Sequence, residues 1–173
     1  GVVLVDESPN GMIQVEGLAE AALSEAYGVS SLGIGEISDV DGRRVARLRQ
    51  DMFFVVVQPG DEVKTLKEIR DAAADTFITC TDVTSGRSGI GAIGPRSPEL
   101  MSKVCGLDFS DGVFPAGQAR QTSVAKTSQL IIRADRGGVP AYTLIGSRSL
   151  GAYLWALLME AGTEWDIQPI GRS

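Results

Sequence analysis

The chemistry open to this chain is limited first by the residue type that it lacks. Its 173 residues include no histidine. A chain without imidazole has no Ser–His or Cys–His nucleophile pair, no His metal ligand and no side-chain base whose ordinary pKa lies near neutrality. Most hydrolase chemistry is therefore excluded. We assign the chain no catalytic residue.

Carboxylates are the next candidates for acid–base or metal chemistry. Asp82 precedes Thr84 by two positions, and Asp108 and Asp111 lie in the stretch GLDFSDG. Aspartates in such stretches commonly bond to their own backbone and form turns. A hard metal ion needs more oxygen ligands than the neighbouring sequence offers. We predict turn-forming roles and no metal ligand, and a role of Asp82 as an acid or base stays open as the alternative.

A glycine-rich stretch, GIGAIG at 89–94, has the literal spacing of a dinucleotide-binding loop. That function requires the glycines to follow a strand and to open a helix, so that phosphate meets helix N–H groups. Pro95 follows at once, and the next helix begins only near Pro98. We interpret Ile90 and Ile93 as part of a strand and predict no cofactor-binding residue.

The stretch FPAGQARQT at 114–122 brings several polar side chains together. It is either a ligand-reading loop or the approach to a strand. Guanidinium groups match carboxylates in shape, although arginines are more often solvated or bound to loop carbonyls. Candidates for anion recognition are Arg120, Arg133, Arg136 and Arg148.

Aromatic residues in the run LGAYLWALLM at 150–159 pack internally or anchor a partner. The residues that we expect at a partner interface are Arg120, Thr122, Arg148, Tyr153 and Trp155.

Charge and hydropathy narrow the classes of partner. Lys and Arg total 16 against 22 Asp and Glu, which gives a net charge of −6. No summed positive field gathers phosphates, so we expect no nucleic acid partner. The apolar run at 150–159 is about half as long as a membrane span requires, so we expect no membrane association.

Cys80 and Cys105 lack C-x-x-C spacing, which favours a reduced, cytoplasmic setting over a disulfide framework.

The elements that must position these residues alternate between strands and helices. Apolar β-rich runs predict strands, and runs of helix formers or 3.6-residue periodicity predict helices. Gly28 is expected to cap a helix in the left-handed conformation, and Ser97 and either Ser147 or Ser149 are expected as hydroxyl N-caps. Strands are predicted at 2–5, 12–15, 52–57, 77–83, 88–93, 118–125, 129–134 and 141–145, and helices at 18–27, 66–73, 98–105 and from Ser147 or Ser149 to Gly162. This order predicts an α+β fold rather than a doubly wound sheet.

Four stretches, in order along the chain, carry a resemblance to a known family. They are TDVTSGR (81–87), GPRSPELMSKVCGLDF (94–109), FPAGQARQT (114–122) and SRSLGAYLWALLMEAG (147–162). Together they resemble the gamma subunit of heterotetrameric sarcosine oxidase, within the glycine-cleavage T-protein and folate-binding fold group. The resemblance covers 52–162, and 1–51 is weakly specified. It implies a ferredoxin-like/T-protein-like folate-binding fold with antiparallel sheets and packed helices, and a single T-protein-like domain over 1–173.

The resemblance also implies a function and a set of partners. It indicates a small, non-catalytic gamma subunit of a flavoenzyme that oxidatively demethylates sarcosine or a related N-methyl amino acid, with one-carbon transfer to tetrahydrofolate in a partner subunit. The expected partners are alpha, beta and delta subunits, with alpha in direct contact. No cofactor is expected in this chain. FAD, FMN, NAD, tetrahydrofolate and zinc are expected in the partner subunits.

One departure from the family pattern bears on folate. T-proteins carry a GYTGE stretch whose Glu holds the pterin, and the corresponding stretch here reads GGVPAYTLIG at 137–146. Tyr142-Thr143 is retained and the Glu is not. A pterin without that partner is left with unpaired polar groups, each costing about 1–3 kcal/mol. We therefore expect a fold that has lost folate binding. The alternative is a stand-alone folate-dependent one-carbon (aminomethyl) transferase.

The resemblance also bears on FPAGQARQT. In the resembling subunits this stretch is the loop that enters a strand. If the strand is regular, Gln118, Arg120 and Thr122 share one face, because side chains alternate along a strand, and that face is available to a partner. The stretch identifies the family without indicating a catalyst.

Overall fold

The computed structural model of the chain describes residues 1–29 and 31–171, so Ser30, Arg172 and Ser173 lie outside the described residues. The chain divides into two compact units. The first combines Gly1–Ser8 with the chain from Gly86 onward, and the second is Pro9–Ser85. Each unit is described by itself. The prediction of a single domain over 1–173 stays a prediction.

Eleven strands and four α-helices make up the described part of the chain. In chain order they are β1 (Val3–Asp6), β2 (Gly11–Gly17), α1 (Glu20–Tyr27), β3 (Ile37–Val40), β4 (Arg43–Arg49), β5 (Met52–Val57), α2 (Glu62–Ala73), β6 (Ile78–Asp82), β7 (Arg87–Ile93), α3 (Ser97–Val104), β8 (Gln118–Val124), β9 (Thr127–Arg133), β10 (Ala141–Ser147), α4 (Gly151–Ala161) and β11 (Gln168–Ile170). Every strand and helix predicted from the sequence is present.

The second unit is a five-stranded antiparallel sheet in the order β3-β4-β5-β2-β6, with α1 and α2. The β-rich run MFFVVV forms β5 inside this sheet because β-branched and aromatic side chains pack well on a pleated surface. The core gathers Val15, Leu23, Phe53 and Ile69 from these layers. The stretch that the sequence specified weakly, 1–51, contributes the edge strand β3 and its neighbour β4.

The first unit is a six-stranded sheet in the order β11-β1-β7-β10-β9-β8. The short β11 runs parallel to β1, and the other neighbours are antiparallel. Leu100 from α3 and Leu154 and Leu158 from α4 bury their side chains in the same core as Tyr142 and Phe114. This mixture of antiparallel sheets and packed helices is the α+β class predicted from the sequence.

Helix ends show where the local sequence rules held and where they failed. Gly28 ends α1 with a left-handed φ of 65°, as predicted. The predicted cap at Ser97 is wrong, because its hydroxyl donates to the carbonyl oxygens of Gly94 at 2.8 Å and Pro140 at 3.0 Å. The predicted caps before α4 are also wrong. The hydroxyls of Ser147 and Ser149 bond to each other at 2.9 Å, and a 3-10 turn leads into the helix.

Within residues 1–29 and 31–171, no helix is both long and apolar enough to cross a membrane.

Candidate partner-binding site

All five residues expected at a partner interface lie in the first unit. They form two groups. Arg148, Tyr153 and Trp155 lie on or beside α4, and we call these three residues the α4 surface. Arg120 and Thr122 lie on β8, and we call them the β8 group. The members of each group therefore lie on, or directly beside, the same element.

The α4 surface keeps much of its apolar area exposed. Leu154 and Leu158 are buried, but the Tyr153 side chain is 50% exposed. Trp155 is partly buried and packs against the core of its own unit. The apolar run that forms this helix is therefore only partly buried inside the chain. A half-exposed aromatic residue beside a partly buried indole is typical of surfaces that bind another protein.

A cavity of about 330 Å³ opens at the start of α4. Its wall includes Asp6, Ser8, Arg148, Ala152 and Trp155. It therefore combines one carboxylate, one guanidinium, an indole and the hydroxyls of Ser8 and Ser88. The Arg148 side chain is exposed and donates to the carbonyl oxygen of Arg87 at 3.4 Å. An amphipathic cavity of this kind suits a side chain that has an apolar body and a polar end.

The close approach of α4 to the sheet depends on a glycine. A Cβ atom at Gly151 would lie 2.9 Å from the Cβ of Ser88 on β7, which is closer than real Cβ contacts. Only glycine lets the first turn of α4 sit this near the strand. The sequence reading had not singled out Gly151, although a glycine at the start of a helix is a usable signal of close packing.

In the β8 group, Arg120 uses its polar atoms inside the chain. The Arg120 guanidinium lies over the Phe114 ring, 5.2 Å from its centroid, and donates to the carbonyl oxygen of Ala119 at 2.9 Å. It also contacts the side-chain oxygen of Gln118. Thr122 is half-buried. Alternation along β8 gives Arg120 and Thr122 the same face as Val124, a core residue.

Arg133 on β9 anchors the loop that precedes β8. Its side chain is only 4% exposed. It donates to the carbonyl oxygen of Phe114 at 2.6 Å, and its other nitrogens bind Asp135 at 3.0 Å and Asp111 at 2.7 Å. The stretch FPAGQARQT is thus held as a structural approach to a strand.

Two of the three carboxylates behave as the turn interpretation predicted, whereas Asp111 forms an ion pair with Arg133 at 2.7 Å. Asp82 accepts from the backbone N–H of Thr84 at 3.0 Å and from its hydroxyl at 2.6 Å. Asp108 accepts from the backbone N–H of Ser110 at 2.8 Å, and this hydrogen bond lowers the pKa of Asp108. Both are turn-forming side chains. Among the described residues, no three His, Cys, Asp or Glu side chains come together as a metal site.

A buried carboxylate, Glu7, is the residue that sequence reasoning missed. It is 2% exposed, and its oxygens accept from the Thr143 hydroxyl at 2.8 Å and from the Arg136 guanidinium at 2.5 Å. A Cβ atom at Gly91 would lie 3.0 Å from Glu7 Oε1, so the second glycine of GIGAIG leaves room for this carboxylate. No local pattern relates residues so far apart in sequence, and Glu7 stands in an ordinary turn stretch.

The Tyr142-Thr143 pair lies on β10, inside the fold. Tyr142 is 1% exposed and packs edge-on against Phe109 at 5.4 Å between centroids. Its hydroxyl has no hydrogen-bond partner among residues 1–29 and 31–171. Burial raises the pKa of Tyr142 to about 12. The next two residues are Leu144 and Ile145, both buried. Counting along GYTGE without gaps, Ile145 takes the place of the Glu, so these residues do not fit a pterin that needs that carboxylate.

GIGAIG forms most of β7, as the strand interpretation predicted, and α3 begins three residues beyond it. Residues 33–173 match the family model of the GCVT N-terminal domain. The chain belongs to this family.

Two curated relatives show how this domain occurs in longer proteins. The chain is 26% identical to 4-methylaminobutanoate oxidase (formaldehyde-forming) of Paenarthrobacter nicotinovorans, over 99% of this chain and 22% of the relative. It is 28% identical to sarcosine oxidase subunit alpha of Corynebacterium sp. (strain P-1), over 84% of this chain and 15% of the relative. The chain thus spans less than a quarter of the length of either relative.

Two solved structures share the fold. The chain is similar to a chain of heterotetrameric sarcosine oxidase from Corynebacterium sp. U-96, with a TM-score of 0.83 at 22% identity, covering 95% of this chain and 85% of that one. It is also similar to glycine cleavage system aminomethyltransferase T from Bartonella henselae, with a TM-score of 0.79 at 19% identity, covering 98% of this chain and 47% of that one. The predicted T-protein-like fold is confirmed.

Proposed function

We propose that this chain is the small, non-catalytic gamma subunit of a sarcosine oxidase-type heterotetramer, which oxidatively demethylates sarcosine or a related N-methyl amino acid. The similarity to one chain of a heterotetrameric sarcosine oxidase carries the proposal, because it covers 95% of this chain and 85% of that one. The two chains are therefore close in length. By contrast, this chain spans only 15% of a sarcosine oxidase alpha subunit.

The stretch around Tyr142 supports a non-catalytic role. Ile145 stands where the Glu of GYTGE would stand, and it is buried. A folate that needs a carboxylate there loses a charged hydrogen bond, and such bonds contribute about 1.5–3 kcal/mol. The absence of histidine from the whole chain removes the usual general base as well. One-carbon transfer to tetrahydrofolate then belongs to a partner subunit.

The partners in this proposal are alpha, beta and delta subunits, and alpha contacts this chain directly. FAD, FMN, NAD, tetrahydrofolate and zinc reside in those subunits. The α4 surface and its cavity are the part of the chain that meets alpha, because they leave an aromatic ring and a guanidinium exposed. Free, buried Cys80 and Cys105 are consistent with a cytoplasmic complex.

The experiment compares the chain alone with the chain produced together with the other three subunits. Alone, it should be colourless, bind no flavin and oxidise no N-methyl amino acid. Together with them, it should co-elute in a yellow complex that oxidises sarcosine or a related amine. A yellow, active preparation of this chain alone would refute the proposal.

A second candidate is a stand-alone folate-dependent aminomethyltransferase. Its support is the GCVT family assignment and the fold shared with aminomethyltransferase T. The chain covers only 47% of that enzyme, so much of the enzyme has no counterpart here. Calorimetric titration of the isolated chain with tetrahydrofolate separates the two candidates. Micromolar binding favours the transferase, and no detectable heat favours the subunit.

A further inference from the structure

The cavity at the start of α4 lies on one face of the first unit's sheet. Asp6 at the end of β1 pairs with Ile90 on β7, and Ser88 lies two residues before Ile90 on the same strand. Residues paired across neighbouring strands, and residues two apart on one strand, point to the same face. Asp6, Ser88 and Ile90 therefore form the floor of the cavity. The first turn of α4 lies over this floor, because Gly151 packs directly against Ser88.

Two opposite charges line this cavity without pairing with each other. Asp6 accepts from a backbone N–H of its own turn at 3.0 Å, and Arg148 donates to a backbone carbonyl oxygen at 3.4 Å. In the described part of the chain, neither side chain forms an ion pair. By contrast, Arg133 of the same unit binds two carboxylates. The cavity therefore presents one negative and one positive group that are available to a ligand.

A buried hydroxyl and an apolar wall complete the cavity. Ser88 is 6% exposed, and its Oγ lies 3.5 Å from the carbonyl oxygen of Ser147, at the outer limit of a hydrogen bond. This hydroxyl is therefore still able to bond to a ligand. Apolar surface comes from Ile90, Ala152 and the Trp155 indole, and an indole also attracts a cation over its face.

These groups match a small zwitterion with an apolar body. Asp6 and the Trp155 indole suit an ammonium group. Arg148 and the Ser88 hydroxyl suit a carboxylate. A ligand that carries one charge alone leaves the other charge of the cavity without a partner, and this difference selects the zwitterion. The volume of about 330 Å³ is at the lower end for small-molecule sites, which suits a single amino acid.

We propose that this cavity binds a free amino acid with an apolar side chain, such as leucine. The ammonium group meets Asp6, the carboxylate meets Arg148, and the side chain packs on Trp155. Both charged residues are exposed, so binding is weak, with a dissociation constant of about 1 mM. This site goes beyond the proposed subunit role. Its test uses this chain alone, so a failure here leaves that role untouched.

The test titrates the isotope-labelled full chain with L-leucine and follows its indole N–H resonances by NMR. The chain contains two tryptophans, and the second, Trp165, lies beside the Lys103 ammonium, away from this cavity. The Trp155 resonance should shift and reach saturation, and the Trp165 resonance should stay in place. The resonance that disappears in Trp155→Phe assigns the two signals.

Two analogues of leucine separate the two charges. Isopentylamine keeps the ammonium group and lacks the carboxylate, and isocaproate keeps the carboxylate and lacks the ammonium group. Each should bind the parent about fivefold more weakly than leucine. Asp6→Asn should weaken leucine binding about fivefold and should not weaken isocaproate binding. Arg148→Gln should weaken leucine binding by the same factor and leave isopentylamine binding unchanged.

A matched control uses an exposed carboxylate and guanidinium of the second unit, Asp51 and Arg49, which lie 3.8 Å apart. Asp51→Asn and Arg49→Gln should leave leucine binding unchanged. Melting of all four charge variants should stay close to that of the parent, because the altered side chains are exposed. A Trp155 resonance that leucine does not shift, or that shifts together with that of Trp165, overturns the proposal. Equal binding of leucine and both analogues overturns it as well, because the cavity then does not recognise a zwitterion.

Discussion

The loop from Asp108 to Gly117 with the β8 group, and the α4 surface, show opposite uses of side chains within one unit. The loop has the more polar sequence, yet Arg133 binds its Phe114 carbonyl, and Arg120 lies on the Phe114 ring. The α4 surface has the more apolar sequence, yet Tyr153 stays 50% exposed. The polar loop and the β8 group therefore form contacts within the chain's own fold. The apolar helix α4, by contrast, leaves a surface exposed that suits a partner.

The largest expected effect on stability comes from removing Arg133, the side chain that binds the loop. Arg133→Ala removes charged hydrogen bonds to Phe114 and Asp135 and a cation–π contact with Tyr142 at 5.6 Å. We expect a loss of about 3 kcal/mol in the free energy of unfolding, measured by urea denaturation. Arg133→Lys keeps the charge without the planar fork and should fall in between. If Arg133→Ala costs less than half of the expected value, the loop is not held by this side chain.

The next effect separates packing from partner binding on α4. Trp155→Ala combined with Arg120→Ala should cost the isolated chain about 2 kcal/mol, because Trp155 is only partly buried. It should also weaken co-elution with the alpha subunit. Tyr153→Ala is the matched variant, since its exposed ring should affect co-elution and leave the melt unchanged. A collapsed melt in the double variant, or undisturbed assembly in both variants, would contradict the proposed interface.

Tyr142 tests the buried side of the same core. Tyr142→Phe removes a buried hydroxyl that has no hydrogen-bond partner in the described part of the chain, so the free energy of unfolding should rise by about 1 kcal/mol. The Tyr142 pKa is raised from 10.0 to about 12, so above pH 10 the folded chain keeps a proton that the unfolded chain loses. The free energy of unfolding of the parent is therefore unaffected by this group below pH 10 and falls as the pH rises from 10 towards 12. The parent should therefore lose stability relative to Tyr142→Phe over this range, and parallel pH profiles would contradict the assignment.

Arg120→Ala alone should have the smallest effect. Its guanidinium is half-buried over Phe114, and exposed cation–π contacts contribute about 0.5–1 kcal/mol. Urea denaturation should show a loss in that range. A loss as large as that for Arg133→Ala would mean that the β8 group, and not Arg133, anchors the loop.

Sequence reasoning found the strands and helices because runs such as MFFVVV and the periodicity of α4 act locally. It failed at Ser97 and Ser149, where tertiary contacts and a 3-10 turn replaced the expected caps. It also missed the contact between Glu7 and Arg136, which are far apart along the chain and meet only after the sheet forms. The exposure of Tyr153 likewise depends on how much of α4 the sheet covers, which no local pattern specifies.

The central claim is that this chain is a non-catalytic subunit, and purification of the tagged chain from its native host tests it most directly. Our account predicts co-elution with larger subunits that contain FAD and FMN, together with oxidation of sarcosine or a related N-methyl amino acid. Once separated from the complex, this chain should bind no flavin and show no activity. A chain that elutes alone and transfers one-carbon units to tetrahydrofolate would contradict the account.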